Sequence, residues 1–140
     1  EIIVRVCAAL TAHAQLEEEI FYPGVKEHIK EGDLIDEAEV EHQSMKDLIA
    51  KLESGSLDED KSDATFTVLC EYVLHHVKEE EGKLFPQVKK AREIDLDAMG
   101  EEMARRKAEL SAAVGLKQAE ASSSSRKSAD KKSSVRRKVA

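Results

Sequence analysis

One segment of this chain occurs twice, and that duplication constrains the fold more than any other feature. His13-Ala-Gln-Leu-Glu17-Glu18-Glu19-Ile20-Phe21-Tyr22-Pro23 has its counterpart in His76-Val-Lys-Glu79-Glu80-Glu81-Gly82-Lys83-Leu84-Phe85-Pro86. The spacing from Pro23 to Pro86 is 63 residues, and it also carries His13 onto His76, Glu17 onto Glu80 and Cys7 onto Cys70. The apolar set Ile3, Val6 and Leu10 falls on Phe66, Leu69 and Val73. Self-similarity of this kind marks a repeated supersecondary unit. What it preserves is a His-x-x-x-Glu pair.

Around each pair the apolar residues recur at helical rather than alternating spacing. Residues 1–22 predict one helix, which Pro23-Gly24 should kink or end. A second is expected from Asp33, a good N-cap residue, to Gly55, a suitable stop. Its apolar face is Ile35, Ala38, Met45, Leu48, Ile49 and Leu52, with His42 in line. A third should begin near Ser62 or Asp63, run through His76 and Glu80 towards Pro86, and continue to about Glu93. A fourth, shorter one is expected from Asp95 or Asp97 to about Val114. With only two prolines and six glycines, and 41% hydrophobic residues, the composition favours an all-α core over a sheet.

Charge divides the chain. Residues 122–140 hold seven of the 22 basic residues but only one of the 29 acidic ones, so the remainder is strongly acidic. An acidic body suits cations and repels nucleic acid. The Ser/Lys/Arg composition of the tail predicts disorder, giving a helical domain over 1–114 and a disordered tail over 115–140. The tail offers weak, non-specific phosphate contacts at most, having no aromatic residue for base stacking. Two cysteines without CxxC spacing point to free thiols in a reducing compartment, and thus to a cytoplasmic protein. No apolar run is long enough to span a membrane.

On a helix, residues four apart share a face. His13 with Glu17, and His76 with Glu80, therefore each offer an imidazole and a carboxylate, and His42 adds a third imidazole between them. A single histidine on an apolar face is usually a hydrogen-bonded core residue. Two aligned pairs and a third inward histidine are harder to explain that way, because buried carboxylates are costly unless paired or metal-bound. Imidazole and carboxylate together suit iron, zinc or manganese. The expected ligands are His13, Glu17, His42, His76 and Glu80. The repeat selects His76 over His75, which aligns with Ala12 and is either an outer partner or exposed. Glu18 and Glu81 lie off the ligand stripe as outer or solvated acids. Tyr72, four residues before His76, is a candidate neighbour or ligand of the metal, with a core tyrosine as the plainer reading. Cys7 and Cys70 read as small buried hydrophobes.

These motifs resemble the hemerythrin-like family, in particular the bacterial HHE cation-binding domains, over roughly residues 1–113. HAQLEEEIFYP, EVEHQSMKDLI and YVLHHVKEEEGKLFP carry the resemblance. It implies an up-down four-helix bundle with a non-haem di-iron centre. In one bacterial subgroup the ligands run His, HxxxE, His, HxxxE, and this chain supplies the last five. The first histidine would lie on a helix before Glu1, so three of the four bundle helices are expected here. Such a chain should self-associate or bind metal weakly, whereas the complete bundle should be monomeric. The animal oxygen carriers have HxxxH on the third helix, where this chain has Lys46, and an Asp where it has Glu80. The resemblance implies binding of, or reaction with, O2, NO or peroxide, in a stress response or iron handling. A catalase- or peroxidase-like oxidoreductase is one alternative. A metal-free helical module with a nucleic-acid-binding tail is another.

Overall fold

The computed structural model describes residues 2–115. The expected tail lies outside them, apart from residue 115 itself. Every regular element among them is helical. The first helix, α1, spans Ile2–Leu16, runs into a wider π-helical turn at Glu17–Phe21, and resumes as α2 over Tyr22–Val25. A 3-10 turn, Lys26–His28, leads to α3 over Asp33–Glu53, followed by α4 over Glu59–Glu79. A second π turn, Glu80–Leu84, then precedes α5 over Phe85–Lys90. A last helix, α6, covers 96–115.

The two π turns begin at Glu17 and at Glu80, so the repeat holds in the backbone as well as in the sequence. In each, the ladder shifts to an i→i+5 bond: Tyr22 N–H donates to Glu17 O, and Phe85 N–H to Glu80 O. The proline in the next position has no N–H to give and sits in the first turn of the following short helix, where none is needed.

Helix boundaries follow local chemistry. Asp58 caps α4, its side chain accepting from Lys61 N–H at 2.9 Å, so that helix starts four residues earlier than the Ser62–Asp63 expectation. Asp33 is the first residue of α3 rather than its cap; the turn is opened instead by Leu34 N–H to Glu31 O and Ile35 N–H to Gly32 O. Gly55 takes φ of 65°, the left-handed conformation that ends a helix cheaply only at glycine. After Pro86 the helix stops at Lys90, short of Glu93. His28 is exposed, as its charged neighbours suggest.

α3 packs along α4 and against α1, and two apolar layers form. One joins Tyr22, Val25, Ile35, Ala38, Leu84 and Val88, with Phe21, Phe85 and Met99 against it. The other joins Cys7, Met45, Ile49 and Leu69, backed by Leu10, Phe66 and Val73. Cys7 is fully buried and Cys70 half-buried, both as free thiols. α6 lies over the first layer: Met99 reaches Gly24, where a Cβ would come within 2.6 Å of its methyl carbon. Arg106 fixes the same helix to Glu19 at 2.8 Å. Between the two apolar layers sits a polar one.

Candidate metal centre

The polar layer consists of Glu17, His42, His76 and Glu80, each at most 4% exposed. Charged and polar groups this deep are stable only with mutual partners or a bound ion. His42 Nε2 lies 3.2 Å from Glu17 Oε2 and 3.0 Å from His76 Nε2. His76 Nε2 in turn lies 3.4 Å from Glu80 Oε1 and 3.9 Å from Glu17 Oε2. One donor atom each from Glu17, His42 and His76 falls within 4.8 Å of the others, the spacing of ligands around one ion.

The opposite ring nitrogens are committed elsewhere. His42 Nδ1 meets Glu18 Oε1 at 3.0 Å, and His76 Nδ1 meets Glu41 Oε2 at 2.7 Å. Glu18 is itself held by Lys46, whose ammonium lies 2.6 Å from Oε2. A carboxylate accepts but cannot donate, so each Nδ1 carries a proton and each ring turns its Nε2 inward. Two lone pairs 3.0 Å apart repel unless a proton or a metal cation lies between them. Carboxylate–histidine pairs of this kind are the usual outer support of metal-bound imidazoles. The donor set therefore fits a cation.

Electrostatics agree. Burial alone would raise the Glu17 carboxyl, but hydrogen bonds from His13, His42 and His76 hold it well below the usual carboxylate range. Glu80 is pushed up, first by burial and then by the Glu17 charge. For His76, burial opposes the charged form, yet hydrogen bonds to Glu17 and Glu41 and the charge of Glu80 push it up to about 9. A positive charge is favoured at this point of the fold.

Four of the five expected ligands thus converge. The fifth, His13, stands at the rim: its side chain is 59% exposed and its Nε2 contacts Glu17 Oε1 at 3.0 Å. A cavity lined by Leu10, His13, Ala14, His42, Lys46 and His76, among others, opens beside it. His75 is 65% exposed and points away from the polar layer, consistent with the choice of His76. Glu18 is the outer partner expected of it, and Glu81 is exposed.

Tyr72 requires correction. It is 49% exposed and lines a surface cavity with Val40, Glu41, Ser44 and His75, away from the converging Nε2 atoms. Leu69, Val73, His76 and Glu80 centre the inward face of α4; at about 100° per residue, Tyr72 lies roughly 70° off that centre, towards His75. The phenol at the site is Tyr22, fully buried. Its hydroxyl donates to Glu80 Oε1 at 2.8 Å and lies 3.4 Å from Glu17 Oε2, 3.3 Å from His42 Nε2 and 3.5 Å from His76 Nε2. Burial and the two glutamate charges push its ionisation far upward, so it acts as a neutral donor. Glu41, which directly precedes His42 in the EVEHQSMKDLI motif, has a role that spacing did not assign it: it holds His76 Nδ1.

Comparison with known proteins agrees with this geometry. Residues 1–88 match the family model described as hemerythrin HHE cation binding domain. A curated protein of Nostoc sp. named DNA nickase is 35% identical over 80 residues, covering 57% of this chain and 22% of that protein. The chain therefore spans about a fifth of that relative's length. No solved structure matches the chain significantly. No helix among the described residues is long and apolar enough to cross a membrane. By the family match over 1–88, and by the buried His/Glu cluster that the match contains, this chain belongs to the hemerythrin HHE cation-binding family.

Proposed function

We propose that this protein is a non-haem di-iron protein that binds or reacts with O2, NO or peroxide, in oxidative or nitrosative stress or in iron handling. The observation that carries the reading is the pair of inward Nε2 atoms, His42 and His76, 3.0 Å apart, with both Nδ1 atoms tied to carboxylates. His13, Glu17, His42, His76 and Glu80 are the proposed ligands. Glu17 and Glu80, one from each copy of the repeat, would be the carboxylates shared if two ions were held. Iron is favoured by the mixed imidazole–carboxylate set, with zinc or manganese as alternatives.

When bound, iron supplies an open coordination position and a redox electron for a small ligand. The chain's own residues supply the rest. Glu18 and Glu41 orient the two imidazoles. The apolar layers on either side exclude water. The Tyr22 hydroxyl, 2.8 Å from Glu80 Oε1, holds its proton on that carboxylate.

A second reading is turnover of peroxide as a catalase- or peroxidase-like oxidoreductase, in which an open metal position would bind peroxide. The name of the Nostoc relative raises action on DNA as a third reading, and the basic tail would be its phosphate contact. Absorption spectra of the iron-loaded protein, reduced and then exposed to O2, NO or peroxide, decide between the first two. A reversible spectral change supports binding, sustained peroxide loss supports turnover, and no response to any of the three refutes both.

A further inference from the structure

A second group of metal-type donors lies outside the buried centre. Glu41 on α3 and His75 and Glu79 on α4 bring one donor atom each to within 4.8 Å of the others. His75 Nε2 stands 3.6 Å from Glu41 Oε1 and 3.9 Å from Glu79 Oε2. These separations are too long for hydrogen bonds. They match ligation instead, since donors about 2.1 Å from a tetrahedral ion stand about 3.4 Å apart.

The carboxylates are also held in place. Glu41 uses its other oxygen, Oε2, on His76 Nδ1 at 2.7 Å. Glu79 uses Oε1 on Lys83 Nζ at 2.6 Å. Each glutamate is thus anchored by one oxygen and presents the other to His75. Alongside is a cavity of about 190 Å³ lined by Val40, Glu41, Ser44, Tyr72 and His75, room enough for an ion with its remaining waters.

We propose that Glu41, His75 and Glu79 form an outer cation site for a divalent ion of borderline hardness, such as Zn2+, Mn2+ or Fe2+. The mixed imidazole–carboxylate set suits these ions better than Mg2+ or Ca2+, which take all-oxygen ligands. Through the two oxygens of Glu41 the outer ion is one carboxylate away from His76. An ion there draws charge from Glu41 and weakens its hold on the His76 Nδ1 proton, so occupancy of the outer site tunes the buried centre. The outer site does not depend on the reading of the buried centre as di-iron.

Calorimetric titration of the metal-stripped protein with Zn2+ tests this. His75→Ala and Glu79→Gln should each lower the stoichiometry by one ion, removing the weaker step, while His42→Ala should spare that step and abolish the tighter one. Because His75 is largely exposed, its substitution removes no packing, and unchanged helical circular dichroism verifies the fold. As a second readout, Mn2+ should broaden the His75 imidazole proton resonances in His42→Ala. Identical Zn2+ stoichiometry and affinity in wild type, His75→Ala and Glu79→Gln would overturn the outer site. A wild type that binds Zn2+ in the weaker step alone, with that step lost in His75→Ala, would count against the buried centre and leave the outer site standing.

Discussion

The hydroxyl of Tyr22 donates to Glu80 Oε1 at 2.8 Å, and so the first copy of the repeat is bonded to the buried carboxylate of the second. The π turn makes this contact. In an α-helix, Tyr22 would lie about 140° around from Glu17, five residues earlier. The i→i+5 bond from Tyr22 N–H to Glu17 O brings the two back onto one face.

Tyr22→Phe should retain the fold, since the ring stays packed among Val25, Ile35 and Leu84. It leaves a buried carboxyl without its donor, at a cost of about 1–3 kcal/mol. Urea unfolding of the metal-free variant measures this; an unchanged midpoint would show that the bond contributes nothing.

Glu18 fixes the ring of His42 and is neutralised by Lys46. Glu18→Gln keeps the shape but weakens the acceptor, and metal affinity should fall by about 10–100-fold with stoichiometry retained. Competition against a chromophoric chelator reads the change directly.

The pH dependence has opposite signs for the empty and loaded protein. His76 is pushed up to about 9, above its unfolded value. Its contribution to stability of the metal-free fold is therefore fully present below the unfolded pKa and is lost as pH rises towards 9. Metal must displace that proton, so affinity should rise over the same window, by up to about tenfold per pH unit for one proton released. Melting curves of both forms should diverge as pH rises from neutral to 9, the metal-free form losing stability relative to the loaded one, and parallel curves would contradict it.

Below the site the chain depends on ordinary packing. Leu69 is fully buried beside Cys7, Met45 and Ile49. Leu69→Ala should destabilise by about 2–5 kcal/mol, seen as a lower denaturation midpoint whether or not metal is present.

The helices and most of the buried centre were legible because a period-63 repeat and i, i+4 pairs are visible in residue order alone. Spacing was sufficient to separate His76 from His75, and Glu17 from Glu18. It failed at Tyr22 because a π turn leaves no compositional mark and rotates everything after it. Tyr72 was singled out for a different reason, its position four residues before His76 on the regular part of α4, although it lies off the centre of that helix's inward face. The aromatic-Pro pair closing both copies, Tyr22-Pro23 and Phe85-Pro86, was the available signal. Glu41 was hidden for another reason: its partner His76 lies 35 residues away on the next helix, and cross-helix pairing is not encoded in local spacing.

The most direct test is the iron content of the protein after anaerobic reconstitution and removal of loosely held metal. The buried His/Glu centre predicts bound iron in wild type, iron retained at that centre in His75→Ala, and none there in His76→Ala. A wild-type protein without iron, or equal loss from both histidine variants, would contradict the centre as described.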